Sequence, residues 1–141
     1  MGCMDLTGIF PHNSASGHEY LLFGYNYDAN AILVVPSKNC QEKTITDRWE
    51  NINQHSATAV VKPHTYVIDN EVTNALKREF EKYTVNYQLV PPHLHRAKKS
   101  ERAFHTFKDY FKAGLATVYP YLPISSWDLL LTQAVTTLNI L

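Results

Sequence analysis

The sequence contains no run of about 18 apolar residues, the length a membrane-spanning helix needs, and its start lacks the charged and apolar blocks of a secretory signal. Cysteine is scarce. Cys3 and Cys40 are isolated thiols without CxxC spacing, which argues against a disulfide framework or a zinc knuckle as the organising device. An excess of charge of either sign is missing too, because thirteen basic residues cancel thirteen acidic ones. A chain that held nucleic acid by bulk charge would be clearly basic, so any nucleic-acid surface here is local and tight binding would call on further domains. Repeats and low-complexity tracts are absent. These absences predict a reduced, intracellular chain with no membrane partner. What is present, 141 residues of which 45% are apolar and 18% charged, suits one domain over 1–141 with a single core. Residues 136–141 continue an apolar helical pattern, as expected of a piece of something longer.

Short apolar and aromatic segments dominate the first third. Residues 3–10 read as a strand that carries Asp5 and is closed by Pro11 and a polar turn. Residues 19–27 and 31–36, joined at Asp28-Ala29-Asn30, read as a hairpin, with Tyr20, Phe23, Tyr25 and Tyr27 packing it. From Asn39 the period changes. Ile45, Trp49 and Ile52 recur at four and three residues between charged positions, which predicts an amphipathic helix. A strand over 64–68 leads to Asp69-Asn70, a helix marked by Val72, Leu76, Phe80 and Tyr83 follows, and 85–90 form a strand stopped by Pro91-Pro92. A helix begins near Ser100, a reasonable N-cap. Phe104, Phe107, Phe111 and Leu115 make its apolar stripe, and Glu101, His105, Lys108 and Lys112 share a polar one. Residues 127–141 give a last helix. Three strands in a meander followed by alternating helices and strands predict an α/β protein with a mixed five-stranded sheet, three strands antiparallel and then two parallel, flanked by helices. That is the order of the ribonuclease H-like fold.

Phosphoryl transfer on DNA uses two divalent cations about 4 Å apart, held by carboxylates, and hard oxygen ligands suit magnesium. In the predicted order the first and fourth strands are parallel neighbours, which would bring Asp5 and Asp69 together. The segment 93–99 would then carry Glu101 over them.

Three stretches resemble the catalytic core of retroviral and retrotransposon integrases. They are Asp-Leu-Thr-Gly-Ile-Phe-Pro at 5–11, Ile-Asp-Asn-Glu at 68–71, and Pro-Pro-His-Leu-His-Arg at 91–96 followed by Ser-Glu-Arg-Ala-Phe-His-Thr-Phe-Lys at 100–108. The resemblance covers essentially the whole chain and implies that Asp5, Asp69 and Glu101 are the metal-binding catalytic triad. It implies two Mg2+ or Mn2+ ions in the catalytic complex, 3′-end processing and strand transfer as the reactions, and the ends of an element's DNA and a target duplex as partners. Lys108 matches a family position that contacts the DNA end. The resemblance further implies a homodimer, with the apolar last helix as a candidate interface, action in the nucleus, and origin in a Gag-Pol polyprotein. Two features depart from the pattern. Thirty-one residues separate Asp69 from Glu101, a few fewer than in retroviruses, and Glu71 stands where many members have glycine. The family's zinc-binding and carboxy-terminal DNA-binding domains are not in this sequence.

Each residue also has a plainer reading. Asp69-Asn70 after a strand is equally a turn and helix start, and Glu101 suits a first helical turn through the macrodipole alone. Arg96, Lys98, Lys99 and Arg102, extended by His105, Lys108 and Lys112, form the densest basic cluster. Beside carboxylates it fits phosphate contact that orients DNA without reading sequence, and a solvated face explains it as well. His93 and His95, with no third histidine or cysteine nearby, make a poor zinc set and are read as shaping the loop. Two other functions remain open: a ribonuclease H-like nuclease, and a decayed or domesticated core serving as a DNA-binding or self-association module.

Overall fold

The computed structural model describes residues 1–58, 63–69, 74–90, 98–118 and 120–141; at the helix and strand ends next to the remaining segments, Asp69 and Lys98 among them, the backbone alone is described. The elements run β1 (Gly2–Leu6), β2 (Tyr20–Asn26), β3 (Ala31–Ser37), α1 (Glu42–Thr58), β4 (Thr65–Asp69), α2 (Asn74–Lys82), β5 (Asn86–Val90), α3 (Lys98–Thr117), a 3-10 helix (Ile124–Leu130) and α4 (Leu131–Ile140). The five strands form one sheet in the order β3-β2-β1-β4-β5. β1–β2 and β2–β3 pair antiparallel, and β1–β4 and β4–β5 pair parallel. The mixed sheet flanked by helices is the one the strand order predicts.

Alternation along the strands sorts side chains to two faces. On one, Met4, Tyr66 and Ile68 meet Trp49 of α1, Leu76 and Phe80 of α2, and Val85. Trp49 is fully buried, with its ring 4.9 Å from Phe80 and 6.4 Å from Tyr66, both edge-on. Gly2 belongs to this face because a Cβ there would lie 3.0 Å from the Tyr66 ring. The Glu42 carboxylate of α1 accepts the Ala75 amide at 2.7 Å. It thereby gives α2 the first-turn acid its own sequence lacks. On the other face Leu21, Phe23 and Tyr25 of β2 and Ile32 of β3 meet Phe107 and Phe111 of α3, Trp127, and Leu131 and Ala134 of α4. Of the hairpin aromatics, Phe23, Tyr25 and Tyr27 pack this core as expected, whereas Tyr20 lies outside it. Asn26 closes the tight turn with its side-chain oxygen, accepting the amides of Asp28 and Ala29, and Asn30 takes φ 50° there.

Three expectations need correction. The first strand ends at Leu6 rather than at residue 10, because Phe10 leaves the sheet to stack on Trp127 at 4.4 Å. Ser100 is not an N-cap. It is the third residue of α3 and is buried. The last helix is also broken: 124–130 wind as a 3-10 helix, and α4 starts at Leu131. α4 packs on the core through Leu131, Ala134, Val135 and Leu138 and leaves Ile140 exposed. Next to it the Asn139 amide bonds both the carbonyl and the N–H of Ile32 at 2.8 Å, occupying ladder groups on the β3 edge.

Trp49→Ala should destabilise the fold by about 3–5 kcal/mol, the usual cost of deleting a buried large aromatic ring. Leu129→Ala should change stability by less than about 0.5 kcal/mol, because that side chain is 74% exposed. Urea denaturation of both variants beside the parent checks the contrast.

A candidate active site at the carboxyl ends of the parallel strands

β1 and β4 pair with Gly2 opposite Tyr66 and Cys3 opposite Val67. Continued by two residues, that register sets Asp5 opposite Asp69. Asp69 closes β4 and lies opposite Val90, the last residue of β5. The parallel strands therefore end along one edge, where ligands of open α/β sheets bind. Met4 is buried on the α1–α2 side, whereas Cys3 packs on the α3 side, and strand alternation gives Asp5 the side of Cys3. Asp5 is exposed.

Glu101 occupies the first turn of α3 and is exposed. Ser100, buried near the start of α3, lies close to Cys3 of β1 and to Tyr27. Burial pushes the Cys3 thiol pKa up and the nearby Asp5 charge adds to that, while the hydrogen bonds with Ser100 and Tyr27 oppose it. Cys3, Ser100, Asp5 and the root of Glu101 thus share one neighbourhood.

Along α3 the polar stripe forms as the spacing predicts. Glu101, His105 and Lys112 are exposed, and Lys108 is half-buried with its ammonium 5.0 Å above the Phe104 ring. A cation seated on an aromatic face is held in place while its charge stays available to a ligand. Lys99 and Arg102 are exposed near the same end, and Lys98 begins the helix. His93, His95 and Arg96, together with Asn70 and Glu71, lie outside the described residues. Among the described residues no group of three His, Cys, Asp or Glu side chains converges on a metal position.

Sequence reasoning missed a second polar constellation. Ser14 Oγ and the Asp128 carboxylate both approach Nδ1 of His18, at 3.2 and 2.8 Å. The residue types match a hydrolytic triad, but the geometry does not. A relay needs the acid on one ring nitrogen and the nucleophile on the other, and here one nitrogen serves both. The cluster acts as a latch. With the Trp127 indole N–H donating to the His12 carbonyl and the Ala15 amide donating to Ser125, it fastens the β1–β2 connection to the 3-10 helix. His18 and Asp128 stand 110 residues apart, so no local pattern marks the pair.

The sequence matches no protein-family model and no curated protein. Solved structures do match. A chain of the simian T-cell lymphotropic virus intasome, solved with PP2A regulatory subunit B56 gamma, aligns with TM-score 0.76 at 14% identity over 96% of this chain and 46% of that one. The HTLV-2 integrase catalytic core domain with magnesium, in its dimeric form, aligns with TM-score 0.71 at 15% identity over 97% of this chain and 83% of that one. The BIV integrase catalytic core aligns with TM-score 0.70 at 11% identity over 97% and 81%.

The chain has the integrase catalytic-core fold. It spans less than half of the intasome chain and about four-fifths of the isolated cores. Among the described residues of this core no helix is long and apolar enough to cross a membrane.

The latch sets a pH dependence. Burial opposes ionisation of Asp128, but hydrogen bonds with His18, Ser14 and Ser16 prevail and hold its carboxyl below the ordinary aspartate value. A lowered folded pKa contributes stability that is complete above the unfolded value of about 4 and is lost as pH falls through the folded one. Asp128→Asn should therefore destabilise the core at pH 7 by about 1.5–3 kcal/mol, the range for hydrogen bonds to a charged group. It should also flatten the loss of stability on acidification. Urea midpoints measured between neutral pH and pH 3 check both.

Proposed function

We propose that this core is a metal-dependent polynucleotidyl transferase of the integrase type, acting on retroelement DNA ends and a target duplex. The observation that supports the reading is the parallel pairing of β1 with β4 at Gly2–Tyr66 and Cys3–Val67, which, carried along both strands, would bring Asp5 towards Asp69 at their carboxyl ends. The fold supports it, since an HTLV-2 core that shares it was solved with magnesium. Asp5 and Asp69, with Glu101 from α3, are the residues that would hold two Mg2+ or Mn2+ ions. When bound, such ions activate the attacking oxygen and stabilise the leaving one in an in-line displacement.

The chain's own contribution is placement. Lys99, Arg102, His105, Lys108 and Lys112, with Lys98 and Arg96 before them, offer phosphate contacts along one helix beside the carboxylates. With a net charge of zero, this local stripe carries the DNA affinity of the core, and further domains of a longer polyprotein would supply the rest. In this reading residues 1–141 are one catalytic domain, working in the nucleus as a self-associated copy pair, in keeping with the dimeric and trimeric HTLV-2 cores.

Zero net charge favours a second reading, a core that binds or self-associates without catalysis. One assay separates the two. With Mg2+ or Mn2+ the chain should cleave or disintegrate a branched DNA substrate, and Asp69→Asn should lower the rate by at least about 100-fold, the low end of what removal of a central catalytic group costs. Activity that survives Asp69→Asn would remove the triad. A chain that is inert with both metals, while still binding the branched DNA, would support the module.

A further inference from the structure

β3 is an edge strand of the sheet, and its sequence, Ala-Ile-Leu-Val-Val-Pro-Ser, contains no charged residue. An uncharged edge of apolar and β-branched residues is a template on which another strand can add. Along an edge strand of an antiparallel ladder, alternate residues turn both backbone groups to the neighbouring strand and the others turn them away. The Ile32 groups that Asn139 bonds are turned away from β2, so by alternation Val34 and Pro36 face outward as well. Leu21, which lies opposite Pro36, has the matching parity. Its amide donates to Thr7 Oγ1 and its carbonyl accepts the Thr7 amide, both on the β1 side.

The outward row is therefore Ile32, Val34 and Pro36, and two of these three are obstructed. Pro36 has no N–H to offer a new strand, which is how an edge tolerates proline. At Ile32 the Asn139 side chain accepts the backbone N–H with Oδ1 and donates to the carbonyl with Nδ2, both at 2.8 Å. A primary amide presents a donor and an acceptor side by side, as the backbone of an adjoining strand does. Asn139 thus stands in for one residue of a sixth strand. α4 carries it there, with Leu131, Ala134, Val135 and Leu138 packed on the core.

The occupant this arrangement excludes is the β3 of a second copy. Two antiparallel β3 edges related by a twofold axis can set Ile32 of each copy opposite Val34 of the other. That register avoids Pro36, and every bond of it has an Ile32 as one partner. The register with Val34 opposite Val34 sets Ile32 against Pro36, which cannot donate. Asn139 takes Ile32 out of both. We propose that Asn139 is an edge guard: its amide closes β3 to strand addition by another copy of this chain, and the last turn of α4 is the strap that keeps it closed. The guard is independent of the carboxylate site, and it leaves any pairing of intact cores to other surfaces.

The test compares the full chain with Asn139→Ala by sedimentation velocity over a concentration series and by amide-hydrogen exchange at Ile32 and Val34, with circular dichroism as the check on folding. In dilute solution Asn139→Ala should raise the Ile32 exchange rate at least about 10-fold. It should also form species larger than the parent's at about 10-fold lower concentration, in keeping with the loss of two backbone partners. In those species the Ile32 and Val34 amides should be protected again. Should Asn139→Ala not fold, Asn139→Leu, of similar volume and a better helix former, is read in the same way. A folded variant that assembles no more readily than the parent overturns the guard, and so does assembly that leaves Ile32 and Val34 exchanging fast. Loss of the fold in both variants would make Asn139 a residue that holds the core, and overturns it too.

Discussion

The parallel pairing of β1 with β4 is the constraint on which the rest of this core depends. β1 sits at the centre of the sheet, antiparallel to β2 on one side and parallel to β4 on the other. A parallel neighbour cannot be reached by a tight turn, so the chain crosses over through α1, and that crossover must be held against the sheet. Trp49 supplies the hold. It meets Tyr66 on β4 and Phe80 on α2, and Met4 of β1 completes the same cluster. A slip of one residue between β1 and β4 would turn Met4 to the α3 side and Asp5 towards the Trp49 cluster, exchanging a buried apolar contact for a buried charge. The aromatic packing on one face therefore holds the β1–β4 pairing in register.

The other face contributes the third acid and the cations. α3 lies on β2 through its phenylalanines and carries Glu101, Lys108 and Lys112 on a separate stripe, so one helix is both core and working surface. Phe104 serves both, touching Phe23 inward and the Lys108 ammonium outward. The β1–β2 connection next to Asp5 is fastened at a distance by the Ser14, His18 and Asp128 latch and by Phe10 on Trp127. The strand that bears the first acid is thus restrained along its length and beyond its end.

Much of this was legible in the sequence, because it is written in local period. Alternation and turn residues placed the five strands, and the recurrence of Ile45, Trp49 and Ile52 and of Phe104, Phe107 and Phe111 placed two helices and their buried faces. Strand order then implied the β1–β4 neighbourhood. What was illegible depends on partners far apart in the chain. Ser100 reads as a cap because serine favours caps, and only the nearness of Cys3 and Tyr27 explains a serine buried inside a helix. Asp128 looks like a surface residue until His18 lies against it. The apolar residues of α4 carry no mark of which face their own sheet: Leu131, Ala134, Val135 and Leu138 do, while Ile140 is exposed.

The central claim is that the β1–β4 register builds one hard-cation site from Asp5 and Asp69, with Glu101 completing the set. Crystals grown with Mn2+ and measured at the manganese edge test it most directly. The account predicts an anomalous peak between the Asp5 and Asp69 carboxylates, with oxygen distances near 2.1–2.2 Å as for other hard divalent cations. Manganese bound elsewhere, or Asp5 and Asp69 carboxylates turned to opposite faces of the sheet, would contradict it.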